Sequence, residues 1–400
     1  MARNFLGTPA VARPWLSPAL VLALAVTTAL SVLIVLNAAW AFRDDRGLLD
    51  WGSFWASGAA ANRGDDPYGV YPETFSIAGD PAPNLNPPIS VYPFQVAAKF
   101  DAAASRNAWD ILTLAGFAAC VAALRRAYPE RDAVTVVAAF ALAGLWHTLE
   151  LGQIYLPLVA GVTIAWLLLR EGDRWQAGLA LGFVAAVKPQ FAIIPGLLLL
   201  AGYWRSGGAG LATATAVSAV PLLFEGPGIY RSWLDATPPA LEPNTLAGNS
   251  SLLAVAGRLD ADWLGIVATA GLLVVVAGFV LVRRPPRLFV LALAIVVALL
   301  AGPITWPGYT MLLLPLLFVA PWERIAPGLV FLLVPYELVV QLVDRGEVLA
   351  IAAGSVYAVG IVLLAALVFR AAAWGPAGNP RFTIHPSRFG RRMGAARREA

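Results

Sequence analysis

Lys188 interrupts an otherwise uncharged run, Leu179 to Val187, and is followed at once by Pro189. An ammonium inside an apolar segment faces a polar cavity, where it can hold an anion, or snorkels to the membrane interface. Asp50 stands in Leu48-Leu49-Asp50-Trp51-Gly52-Ser53-Phe54-Trp55, an acid among apolar and aromatic neighbours. Such a carboxylate at the membrane surface is placed to be partly desolvated and to meet an amphipathic substrate; the plainer reading is a helix N-cap. Gly152-Gln153-Ile154-Tyr155, with His147 and Glu150 just before it, offers amide, phenol and carboxylate groups that suit sugar hydroxyls, or simply a polar turn. Asn249-Ser250-Ser251 is followed by Arg258, a cation suited to phosphate. The same triplet is formally a glycosylation sequon, which carries no weight without a eukaryotic secretory route.

These residues must be positioned by a membrane framework. The chain is 59% hydrophobic with a mean hydropathy of +0.71, and repeated apolar runs reach membrane-spanning length. The expected class is an all-α polytopic membrane protein. Apolar windows near 18 to 42, 108 to 126, 133 to 148, 153 to 170, 174 to 188 and 190 to 204 are followed by six more. Those lie near 208 to 224, 262 to 283, 286 to 302, 306 to 320, 324 to 342 and 347 to 370, so about twelve transmembrane helices are expected. The first is read as a retained helix, being roughly twice the length of a signal h-region.

Arg125, Arg126, Arg131, Arg170, Arg174, Arg205, Arg283, Arg284, Arg287 and Arg324 fall on alternate connections, which places those connections and both termini in the cytoplasm. Two long loops, 43 to 87 and 225 to 261, then face outward and carry Asp44, Asp45, Asp50, Asp65, Asp66, Asp235 and Glu242. The expected organisation is a cytoplasmic stretch 1 to 17, one transmembrane domain 18 to 370, and a basic, disordered cytoplasmic arm 371 to 400. Residues 88 to 105 contain Pro93, Lys99 and Asp101 and read as a re-entrant or interfacial piece.

Composition also excludes several classes. The 26 arginines and 2 lysines are spread among apolar runs rather than gathered on one face, so nucleic acid is not an expected partner. A single cysteine, Cys120, and two histidines, His147 and His385, argue against a disulfide and against a Cys or His metal site.

Taken in order, these motifs resemble glycosyltransferase family 87, membrane enzymes of the GT-C type that use polyprenyl-phosphate sugars. The family's opening acid, aromatic helix and Gly-Asp-Pro-Tyr-like turn are similar to Asp50-Trp51 through Gly64-Asp65-Asp66-Pro67-Tyr68, and its Tyr-Pro-Pro element to Asn86-Pro87-Pro88. Its Gly-Gln and Lys-Pro pairs resemble Gly152-Gln153 and Lys188-Pro189. Its Asn-x-Ser-Leu stretch with a later Arg resembles Asn249 to Leu252 and Arg258, and its late Pro-x-x-Trp resembles Pro303 to Trp306. The chain departs at Tyr155, where the family often has Asn, and at Gly308-Tyr309, where it often has His.

The resemblance implies a GT-C fold with short interfacial helices in a long first outer loop. It also implies a polyprenyl-phosphate hexose as donor, mannose being the leading choice, and a lipid or glycan acceptor at the outer face of a bacterial inner membrane. With that donor, Asp50 would act as base in a single inverting displacement, and Lys188 and Arg258 would neutralise the departing phosphate. Gln153, Tyr155, Asn249, Trp306 and Tyr309 are the expected sugar or acceptor contacts. No metal or other cofactor is expected. The competing class is a secondary transporter or lipid flippase, which should carry its ionisable residues on paired repeats at the bilayer midplane; the sequence shows no convincing repeat.

Overall fold

The computed structural model describes residues 18–44, 47–77, 80–237, 244–320 and 322–374. The expected N-terminal stretch 1 to 17, most of the expected basic arm, Asp45 and Glu242 lie outside the described residues. The chain is helical almost throughout. In order the helices are α1 (Pro18–Ala41), α2 (Asp50–Arg63), α3 (Val91–Ala97), α4 (Ala102–Ala127), α5 (Ala133–Ala141), α6 (Ala143–Leu151), α7 (Tyr155–Glu171), α8 (Trp175–Val187) and α9 (Ile193–Leu200). There follow α10 (Trp204–Phe224), α11 (Gly228–Ala236), α12 (Leu252–Gly257), α13 (Asp262–Arg283), α14 (Arg287–Ala301) and α15 (Leu314–Val319). The chain closes with α16 (Trp322–Leu332), α17 (Tyr336–Val343), α18 (Glu347–Gly354) and α19 (Val356–Trp374). A two-stranded antiparallel ribbon, β1 (Ser76–Ile77) with β2 (Asp80–Pro81), pairs Ser76 with Pro81 in the first loop.

The expectation of about twelve spanning helices is overturned. Among the described residues six helices are long and apolar enough to cross a membrane: Ala19–Ala41, Ala102–Ala127, Ala133–Leu151, Trp204–Phe224, Asp262–Arg283 and Val356–Ala373. A seventh is added if Arg324–Leu332 and Tyr336–Val343, bent by 66°, form one span. The windows near 174 to 188, 190 to 204, 286 to 302 and 306 to 320 fold as shorter apolar helices of 10–17 residues. At 1.5 Å rise per residue such helices reach only about 15–25 Å, less than a hydrocarbon core of about 30 Å. Proline sets these lengths. Pro189 forces Lys188 into extended backbone (φ −141, ψ 96) and ends α8, and Pro307 starts a 3-10 helix, Pro307–Leu313.

The interior is built around α14, whose residues Val290 to Leu300 are all buried, so that it is apolar on every side. Helices α7, α9, α13 and α19 pack against it. Helix α8 lies along α10 across small residues, with Gly178 and Gly182 facing Ser206 and Gly210. Residues 88 to 105 form no span: a 3-10 turn, Pro88–Ser90, leads into α3, and Asp101 accepts from the Ala103 and Ala104 N–H groups at 3.0 and 2.9 Å to cap α4. The two long loops meet, since the Trp233 indole N–H donates to the Leu85 carbonyl at 3.1 Å.

Candidate active site

Asp50 is the first residue of α2, and the backbone leading to it is forced. Gly47 (φ 62) and Leu49 (φ 49) both lie in the left-handed region, which a leucine side chain rarely adopts. Leu49 occupies the N-cap position and supplies no capping side chain. The Asp50 carboxylate instead accepts a hydrogen bond through Oδ2 from the Gln153 amide Nε2.

Gln153 is held by its own neighbours. Gly152 ends α6 with φ 71, and a Cβ there would sit 2.7 Å from the Trp51 Cβ, so the Gly-Gln pair answers both a turn and a close approach. The Gln153 N–H donates to the Thr148 carbonyl at 2.9 Å, and the Trp109 indole N–H donates to the Gln153 carbonyl at 3.0 Å. Trp109 stacks on Trp51 with centroids 5.8 Å apart, which ties α2, α4 and the 152–153 turn into one unit. Gln153 is 6% exposed, and its Oε1 is buried without a hydrogen-bond partner among the described residues.

Lys188 closes α8, and its Nζ lies 5.8 Å from the centroid of Tyr309. Tyr309 packs on Tyr155 at 4.3 Å and on Phe191 at 5.6 Å between ring centroids. Gly308 permits this, because a Cβ there would lie 2.3 Å from the Tyr155 ring. Burial pushes the Asp50 carboxyl up to about 6, opposed by the Gln153 hydrogen bond and by the charges of Lys188 and Arg106. The chemical content is a poorly hydrated carboxylate with an amide to orient it, a cation within electrostatic reach, and an aromatic wall beside the cation.

The other expected residues make contacts of their own. Asn249 is fully buried: its amide donates to the Asn244 carbonyl at 2.9 Å, and its Oδ1 accepts from the Ser251 and Thr305 N–H groups at 3.2 and 2.8 Å. Arg258 donates from Nε to Ser355 Oγ at 3.1 Å, and from its terminal nitrogens to the carbonyls of Leu246 at 3.2 Å and Asn249 at 2.8 Å. Burial lowers Arg258 to about 10. Trp306 precedes the 3-10 helix, half-buried, and its carbonyl accepts from the Tyr309 N–H at 3.0 Å. Asp65 pairs with Arg63 at 2.8 Å, and Asp66 accepts from the Tyr68 N–H at 3.0 Å in a local turn. Among the described residues no group of three or more His, Cys, Asp or Glu side chains could hold a metal ion.

Residues 84–315, more than half of the chain, match the model of glycosyltransferase family 87. The chain belongs to that family. The matched stretch contains Gln153, Lys188, Asn249, Arg258, Trp306 and Tyr309, whereas Asp50 precedes it. No curated protein matches the chain significantly. Among solved structures it is similar to ArnT from Cupriavidus metallidurans bound to undecaprenyl phosphate, at 16% identity over 90% of this chain and 79% of that one, with a TM-score of 0.39. The apo form of the same protein aligns at 15% identity over 88% and 78% of the chains, with a TM-score of 0.34.

Two features of this family 87 chain escaped the sequence reading. Arg106, 2% exposed, donates to the carbonyls of Gly47 at 3.0 Å and Leu149 at 3.1 Å, and also to those of Leu48 and Glu150. It sits five residues into α4 in a segment Asp101-Ala-Ala-Ala-Ser-Arg106 that reads as the polar flank of a span, and only its pairing with Asp110 at i+4 hints at burial. Tyr336, at the start of α17, meets His147 edge to face at 4.6 Å and lies within electrostatic reach of Asp50. Beside it Glu150 meets Glu337, which faces Arg43 at 3.8 Å. Nothing local in the sequence links residues nearly 190 positions apart.

Proposed function

We propose that this family 87 protein transfers a hexose, mannose first among the choices, from a polyprenyl-phosphate sugar to a glycolipid or glycan acceptor. The reaction is a single inverting displacement at the outer face of a bacterial inner membrane. One observation carries the reading: the desolvated Asp50 carboxylate, oriented by Gln153, lies within electrostatic reach of Lys188. Asp50 takes the proton of the acceptor hydroxyl as its oxygen attacks the anomeric carbon, and the sugar–phosphate C–O bond breaks on the opposite side. Lys188 stabilises the negative charge that gathers on the departing polyprenyl phosphate, so no proton needs to reach that oxygen. Lys188 suits this work because its Nζ has no hydrogen-bond or ion-pair partner among the described residues. Gln153 Oε1, buried and unpaired among the described residues, is an acceptor for a sugar or acceptor hydroxyl, and Tyr155, Tyr309 and Trp306 supply the aromatic wall on which a sugar ring packs.

Family membership favours an enzyme over the transporter reading. The direct test incubates purified protein with a panel of polyprenyl-phosphate sugars and an extract of membrane lipids, and identifies the product by mass spectrometry. Transfer of a hexose by the wild type and its loss in Asp50→Asn is the expected result. Transfer by Asp50→Asn at the wild-type rate moves the base elsewhere, and binding of the donor with no transfer to any acceptor returns the transporter reading.

A further inference from the structure

We infer that Arg106 is a positioning residue for transfer: its guanidinium fixes the strained segment that presents Asp50 to the turn that presents Gln153. The inference rests on the proposed role of Asp50 and extends it. Two of its contacts are to the carbonyls of Gly47 and Leu48, immediately before Asp50, and two are to those of Leu149 and Glu150, immediately before Gly152-Gln153. A planar fork of five N–H donors can hold two backbone segments at once, which an ammonium cannot do with the same rigidity. Asp110, one turn along α4, lies 3.8 Å from Nε and helps to retain the charge. Held in this way, Leu49 stays in its left-handed conformation and the carboxylate meets the amide; without it the segment can relax toward an ordinary helix start.

The cation has a second consequence. Asp50 is faced by Lys188 after α8, by Arg106 on α4, by Tyr155 on α7 and by Tyr336 on α17. Glu150, at the end of α6, is also within reach of Arg106. Among the described residues Lys188 and Arg106 are the cations that act on Asp50, so removing Arg106 should raise the pH at which Asp50 ionises, whereas a lysine at the same position should leave that pH nearly unchanged. Geometry and charge can therefore be separated by two substitutions.

The experiment measures kcat, donor KM and the acidic limb of the pH–rate profile for wild type, Arg106→Gln, Arg106→Lys and Asp50→Asn in detergent, with polyprenyl-phosphate mannose and the lipid extract as substrates. Arg106→Gln should lose about 10²-fold in kcat with little change in donor KM, and its acidic limb should move to higher pH. Arg106→Lys should lose about tenfold in kcat while its acidic limb stays in place. If Arg106→Gln does not fold, the lysine variant alone decides, because wild-type kcat in Arg106→Lys overturns the inference. An unmoved acidic limb and wild-type kcat in Arg106→Gln overturns it as well, as does a change confined to donor KM. Asp50→Asn separates the two levels: if it retains activity the reading of Asp50 fails, and if it is inactive while the Arg106 variants behave as wild type, only the present inference fails.

Discussion

The two polar regions of the molecule use similar residue types in opposite ways. Around Asp50, hydrogen-bonding capacity is left over: among the described residues Gln153 Oε1 is buried without a hydrogen-bond partner, and Lys188 Nζ, beside the Tyr309 ring and within electrostatic reach of Asp50, makes no hydrogen bond. Around Arg258 most of the capacity is used, because Asn249 makes one donated and two accepted bonds and the guanidinium holds Ser355 and the carbonyls of Leu246 and Asn249. A saturated polar group stiffens the loop that carries it, while an unsaturated one costs stability and is retained where a ligand completes it. On the proposed function, the contrast would set residues that meet substrate against residues that shape the wall, which residue type and loop position do not do.

Exchanging residues across this divide should show it most plainly at Asp50. Asp50→Asn keeps size and removes proton affinity, so the chemical step should slow by roughly 10²- to 10⁴-fold in single-turnover transfer, with donor binding retained. Lys188→Met should come next, with a loss of about 10²-fold in kcat and a folded protein by size-exclusion chromatography, since on the proposed reading the ammonium acts on charge that develops only as phosphate leaves. Near-normal turnover in that variant would return Lys188 to a snorkelling role. Arg258→Met should invert the pattern: stability falls by about 2–3 kcal/mol through the orphaned carbonyls, measured by denaturation in detergent, while kcat of the folded fraction stays within a few-fold. A selective loss of donor binding by well-folded Arg258→Met would instead make it a phosphate ligand and erase the contrast.

How much of this could be read beforehand follows from the range of each interaction. Asp50, Gly152-Gln153 and Lys188-Pro189 stood out because each is a local anomaly, an acid among aromatics, a glycine at a helix end, a lysine before a helix-breaking proline. Their meeting was not local, since Asp50 and Gln153 are 103 residues apart. The apolar windows gave the helical character of the chain but not the number of crossings, because hydropathy marks a short buried helix as readily as a spanning one, and four of those windows fold as apolar helices of 10–17 residues. Asn249 and Arg258 stood out as an amide and a cation in a loop, but polarity in a loop does not reveal the backbone carbonyls and N–H groups that they hold. Arg106 is silent in the sequence for the converse reason: at the start of a span an arginine reads as a membrane flank, and its burial depends on backbone carbonyls from two distant turns.

The smallest expected effect is on stability, and its sign distinguishes the two regions once more. Burial raises the Asp50 carboxyl from 3.8 to about 6, so the folded protein binds that proton more tightly than the unfolded chain does. The stabilisation from the bound proton is therefore fully present below 3.8 and is lost as pH rises through about 6, leaving wild type carrying the cost of a desolvated charge at neutral pH. Asp50→Asn lacks that charge, and the Gln153 amide can turn over to offer Oε1 to the new NH₂ group, so the contact survives. The variant should unfold about 1–3 °C higher than wild type at neutral pH, and the difference should close as the pH falls toward 4. A structural carboxylate, stabilised by its partners, would give the reverse: Asn would be the less stable form at neutral pH. Thermal unfolding of both proteins in one detergent across that pH range makes the comparison, and a lower unfolding temperature for Asp50→Asn at neutral pH would show that the carboxylate is held for the fold rather than for a proton.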